Sequence, residues 1–112
     1  MSSESPIDDL ALDKLVHEPG RLAILTVLSS VADADFTFLQ RTTRLTKGNL
    51  SSHLSKLEDA DLVAIKKSFV RKKPRTTVAL TKHGSERITR HWEQLDRLKN
   101  LASPGDETTA VA

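Results

Sequence analysis

No cysteine occurs among the 112 residues, which excludes a disulfide framework, a thiolate zinc site and a cysteine nucleophile in one step. Aromatic residues are scarce, only Phe36, Phe38, Phe69 and Trp92, so a core has to be built mostly from Leu, Ile, Val and Ala. No apolar run approaches the roughly 18 residues of a membrane span. The Met-Ser-Ser-Glu-Ser-Pro start has neither the basic n-region nor the apolar h-region of a secretory signal. A soluble, cytoplasmic protein without a membrane partner is expected. There is no Gly-rich phosphate loop, nucleophile elbow or metalloprotease spacing, so catalysis is not expected either. The length suits one domain with a small core, for which help from a partner subunit is expected.

What is present is charge, unevenly placed. The whole chain carries only +2. Between Gln40 and Arg90, however, thirteen Lys and Arg stand against four Asp and Glu, a net of +9 that leaves −7 for the remainder. The basic half seeks an anionic partner.

The first six residues and residues 103–112 are rich in Ser, Thr, Pro, Gly and acid, and read as disordered tails flanking a domain over 7–102. Behind Ser5 and Pro6, the spacing of Ile7, Leu10, Ala11, Lys14 and Leu15 predicts a short helix ending near His17. Its acids Asp8, Asp9 and Asp13 are explained by the helix dipole without any chemistry. Pro19 and Gly20 interrupt, and Leu22, Ile24, Leu25, Leu28 and Val31 predict a buried second helix. A third short helix carries Phe36 and Leu39, and a fourth runs from about Lys47 to Asp59 after a break at Thr46. Leu62, Val63, Ile65, Phe69 and Val70 read as a strand, and Thr76, Val78 and Leu80 as its returning partner. Thr81 suits the cap of a last helix with Ile88, Trp92, Leu95, Leu98 and Leu101 at three- and four-residue intervals. Gly84 stands where a capping box would place Glu. The expected fold is mainly α with a small two-stranded β-hairpin.

At 100° per residue, Leu50, Leu54 and Leu57 form one narrow inward stripe on the fourth helix. The outward face then holds Gly48, Ser52, Ser55 and Lys56, flanked by Asn49 and Ser51. A helix face needed only for solubility favours Glu, Lys, Gln and Arg, which are better helix formers than Ser and Asn. Short polar side chains instead let the backbone come close to a partner. A DNA major groove, about 12 Å wide, admits such a helix. Thr46, Lys47 and Asn49 stand at its start, where free N–H groups and the dipole favour phosphate, and Arg41 and Arg44 come just before. Arg71, Lys72, Lys73, Pro74 and Arg75 form a basic hairpin tip, stiffened by Pro74, that would reach an adjacent minor groove or its phosphates, with Lys66 and Lys67 extending the contact.

The run from Phe38 through Glu58, with Gly48-Asn49-Leu50-Ser51 and His53-Leu54 leading to Leu57-Glu58, then Asp61-Leu62-Val63, the basic hairpin and Leu80-Thr81-Lys82-His83-Gly84, resembles the winged helix-turn-helix transcription regulators. The small members related to the MarR and ArsR groups are most similar. That resemblance covers about Leu22 to Leu101. It implies a homodimer whose terminal helices pair, with two recognition helices in successive major grooves of a pseudo-palindromic operator. No effector carries over: the chain has no Cys for ArsR-like metal sensing and little length for a MarR-like ligand site. A repressor acting by steric occlusion is expected. A protein-interaction or RNA-binding module using the same basic face is the alternative.

The expected DNA contacts are therefore Arg41, Arg44, Thr46, Lys47, Asn49, Ser51, Ser52, Ser55, Lys56, Arg71, Lys72, Lys73 and Arg75. A dimer seam is expected from Ile7, Leu10, Leu15, Ile88, Trp92 and Leu95, although Trp92, Ile88 and Leu95 also suit an ordinary core. His83, Glu86 and His91 are the best metal arrangement on offer, but their spacing would need ligands from another chain, so no metal or other cofactor is expected. His53, on the flank of the fourth helix, suits either packing against the preceding helix or a phosphate contact.

Overall fold

The computed structural model describes residues 13–102. Both expected tails, and Ile7 and Leu10 of the expected seam, lie outside the described residues. In chain order the elements are α1 (Lys14–His17), α2 (Pro19–Leu28), β1 (Ala34–Asp35), α3 (Phe36–Thr43), α4 (Lys47–Asp59), β2 (Val63–Val70), β3 (Lys73–Leu80) and α5 (Lys82–Ala102).

Side-chain caps set most helix starts. Asp13 is extended, and its carboxylate accepts the Leu15 and Val16 N–H groups at 3.1 and 3.4 Å. That cap corrects the expectation that Lys14 and Leu15 continue a helix already under way: α1 begins with Lys14. The other Asp13 oxygen accepts the Arg87 guanidinium of α5, Nε at 2.7 Å, so one carboxylate caps the first helix and ties it to the last. Glu18 caps α2 by accepting the Arg21 N–H at 2.8 Å, and Pro19 fills the first helical position, where its missing N–H is not needed. The helix ends at Leu28, short of Val31, which is exposed.

α3 and α4 form a helix-turn-helix. Arg44 takes the left-handed conformation at φ 62° and returns its N–H to the Gln40 carbonyl at 2.9 Å, stopping α3 as a Gly would more commonly do. Thr46 then caps α4, its hydroxyl accepting the Asn49 N–H at 3.1 Å. Leu50, Leu54 and Leu57 face inward, as their spacing predicts, and join Ile24, Leu25, Leu28, Leu39, Leu62, Val63, Val78 and Ile88 in one core. Ile88 is thus taken up by the protomer's own core, 1% exposed, which corrects its place in the expected dimer seam. Leu15, half-buried, also packs against this core.

The sheet has three antiparallel strands in the order β1-β3-β2, not two. β1 is a two-residue strand, Ala34 opposite Val78 and Asp35 opposite Thr77, too short to leave an alternating pattern in the sequence. The wing also differs from the expected loop of five residues. Lys73, Pro74 and Arg75 belong to β3, paired with Val70, Phe69 and Ser68, and the turn is Arg71 and Lys72 alone, at φ 54° and 66°. Pro74 is tolerated because β1 pairs with β3 only at Thr77 and Val78, so at Pro74 the strand has a free edge. No helix among the described residues is long and apolar enough to cross a membrane.

Candidate nucleic-acid interface

α4 lies on the surface with its polar side outward. Lys47, Gly48, Asn49, Ser51, Ser52, Ser55 and Lys56 are all exposed, as are Arg41, Arg44 and Thr46 before them. Across from α4, the exposed Arg71, Lys72, Lys73 and Arg75 line the end of the hairpin. Every one of the thirteen expected contact residues is therefore accessible in the folded chain.

The two elements face each other across an open groove of about 910 Å³. Lys47, Ser51, Ser55 and Glu58 form one wall, Lys67, Lys73, Pro74 and Arg75 the other, and Asp35, Phe36 and Thr37 close one end. Within it, Asp35 does two jobs. One oxygen accepts the Phe38 N–H at 2.8 Å and caps α3, while the other lies 3.8 Å from the Arg75 guanidinium. At that distance, with both side chains over a third exposed, the ion pair adds little stability; its effect is to lean Arg75 toward the groove. Lys67, which spacing alone left as a secondary contact, lines the groove, whereas Arg71 and Lys72 at the turn do not. Ser52 and Asn49 are exposed on α4 but do not line the groove.

The orientation of α4 is set from behind. Gly20 of α2 leaves room for the His53 ring: a Cβ there would stand 2.7 Å from His53 Nε2 and 2.9 Å from Cδ2. The Arg21 guanidinium lies 3.2 Å from His53 Nδ1 and holds the Leu15 carbonyl at 2.7 Å through Nε. Glu18 lies 3.6 Å from Nε2 on the other side of the ring. The Arg21 N–H held by the Glu18 carboxylate keeps that acid below its usual range, against an opposing effect of burial. His53 therefore packs against the start of α2. Its role is to fix how α4 is presented, a function that the sequence pattern could not assign because the partners lie more than thirty residues away.

His83, Glu86 and His91 are not brought together. His91 is fully buried and its Nε2 lies 3.4 Å from His17 Nδ1, while His83 and Glu86 are exposed. Among the described residues no three His, Cys, Asp or Glu side chains are grouped to hold a metal ion. On α5, Trp92 is exposed and Leu95 and Leu98 are half-buried; they continue, past the end of the core, the stripe that begins with Gly84, Ile88 and His91.

Comparison with known proteins agrees with this geometry. Residues 21–99 match the family described as "Winged helix DNA-binding domain". An uncharacterised protein of Methanocaldococcus jannaschii is 32% identical over 89 residues, covering 79% of this chain and 97% of that protein. The structure of a transcriptional regulator homologue from Pyrococcus horikoshii superposes with a TM-score of 0.77 at 31% identity, covering 84% of this chain and 93% of the other. A MarR family transcriptional regulator from Silicibacter pomeroyi shares the fold at 19% identity, with a TM-score of 0.63 over 88% of this chain and 66% of its own. The helix-turn-helix, the three-stranded sheet and the basic wing are those of that architecture, and the chain belongs to the winged helix DNA-binding domain family.

Proposed function

We propose that this protein is a sequence-specific double-stranded DNA-binding regulator of transcription, cytoplasmic, acting by binding and not by catalysis, and repressing by occlusion of its operator. The observation that carries this reading is the exposed, short-side-chain face of α4 set across a cation-lined groove from the wing. Asn49, Ser51, Ser52 and Ser55 are placed to meet base edges or phosphates in a major groove. Lys47, Thr46 and the free N–H groups at the helix start hold phosphate, Arg41, Arg44 and Lys56 hold the groove rims, and Lys73, Arg75, Arg71 and Lys72 reach the flanking backbone or minor groove.

A second chain completes the reader. Trp92 and Leu95, with the half-buried Leu15 of the expected seam, supply the apolar surface for a homodimer that reads a pseudo-palindrome with half-sites about one helical turn apart.

The test is selection of sites from a random duplex pool with purified full-length protein, followed by anisotropy on the enriched and scrambled duplexes at two salt concentrations. An enriched palindrome supports the reading. Ser52→Ala or Asn49→Ala should then change the preferred sequence, while Lys73→Ala should weaken all duplexes alike and reduce the salt slope by about one. Binding that fades uniformly with salt and yields no motif overturns it and leaves the basic face to a protein or RNA partner.

A further inference from the structure

The hairpin carries an apolar feature that charge does not explain. From Ile65, the last β2 residue with a half-buried apolar side chain, the strand continues five residues, about 16 Å, to Val70. Near its end stands Phe69, at 68% the most exposed of the large apolar side chains described. Its cross-strand partner is Pro74, a rigid ring directly opposite. Exposed Arg71, Lys72, Lys73 and Arg75 surround the pair. A wing built only to hold phosphate has no use for a phenyl ring in water.

The surface that fits both properties is a DNA minor groove, with phosphates on its rims for the four cations and apolar sugar edges and base steps within. Resting on the duplex-binding reading above, we infer that Phe69, backed by Pro74, is a wedge that enters the minor groove beside the α4 site and opens or kinks a base step there. The cost of unstacking is lowest at pyrimidine–purine steps. The wing therefore selects TA or CA/TG at the step it touches, without a hydrogen bond to any base.

The experiment uses full-length protein on its selected duplex, with end-labelled DNA for bend angle by energy transfer and 2-aminopurine at the wing-facing step. Wild type should bend the duplex and raise the 2-aminopurine fluorescence. Phe69→Ala should lose both and bind about tenfold more weakly, with an unchanged salt slope because no cation is removed. Phe69→Leu, which keeps an apolar wedge, should restore much of the bend. Lys72→Ala should show the converse, a reduced salt slope with the bend retained. A mismatch placed at the wing-facing step should tighten wild type more than Phe69→Ala, because only the wedge has to open that step and the mismatch makes it easier to open. Wild type that binds its selected duplex without bending or unstacking it, or Phe69→Ala that bends as well as wild type, overturns the wedge and leaves the duplex-binding reading standing. Failure of wild type to select any duplex overturns both.

Discussion

Gly84 packs so closely on Leu62 that a Cβ at Gly84 would stand 2.8 Å from the Leu62 carbonyl carbon and 3.1 Å from its Cα, inside the van der Waals limit of backbone that cannot yield. The same Leu62 carbonyl accepts the Thr81 N–H at 3.0 Å. The Thr81 hydroxyl donates to the Asp61 carbonyl at 2.6 Å and accepts the Gly84 N–H at 2.9 Å. The start of α5 is thereby locked to the junction between α4 and β2, the junction that joins α4 to the wing. Gly84→Ala should destabilise the fold by about 3 kcal/mol through overpacking, measured by urea denaturation. Gly48→Ala is the control, because nothing lies within 4 Å of a Cβ there; a loss of stability at Gly48 equal to that at Gly84 would remove the steric explanation.

That pair also marks how far the sequence alone reaches. The leucine spacing placed α4 correctly and so determined its outward face, because a helix with three inward leucines has only one side left. The alternating β-branched residues gave both wing strands their place. The space missing at Gly84 and Gly20 was not legible, since each glycine answers to a residue far off in sequence, Leu62 and His53. β1 was missed because two residues leave no periodicity. The wing turn was read too long because Pro74 looks like a turn residue until the free edge of β3 is known. Ile88 and Trp92, one helical spacing apart, differ in burial because Trp92 lies on the edge of the stripe that Gly84, Ile88 and His91 turn inward.

Arg71 and Lys72 occupy consecutive left-handed positions, the geometry of a two-residue turn in which Asn-Gly is strongly preferred. Each non-glycine residue held there costs of order 1 kcal/mol. Replacing the pair by Asn-Gly should raise the stability of the protein by about 1 kcal/mol and weaken duplex binding, with the salt slope reduced by about two. The two measurements are urea denaturation and anisotropy against salt. Stabilisation with undiminished DNA affinity would show that the turn cations are not contacts.

His91 is buried against His17, and its Nδ1 finds no hydrogen-bond partner among the described residues. Burial pushes its pKa below the usual 6.5, the charge of His17 pushes the same way, and Asp13 opposes. The unfolded chain therefore takes up a proton near pH 6.5 that the folded chain resists. By linkage, stability falls as pH drops below about 6.5 and is independent of this group above about 7.5. His91→Leu should be less sensitive to acid: its urea midpoint should change less than that of wild type between pH 7.5 and 5.5. The same acid-induced drop in both proteins would place the pH dependence elsewhere.

Trp92, 40% exposed, and the half-buried Leu95 and Leu98 continue an apolar stripe along a helix of 21 residues that outruns the core of its own protomer. A small domain gains most from covering such a stripe with a second copy. On the proposed dimer, wild type should sediment as a dimer and Leu95→Glu as a monomer, with helix content by circular dichroism retained; a monomeric wild type would overturn the proposal. Trp92→Lys repeats the test at a more exposed position, where folding is less at stake. Both monomers should bind a single half-site with the intrinsic affinity of one domain and lose the added affinity of the palindrome, since the second contact is no longer intramolecular. Dimers that persist in both variants would move the interface off α5.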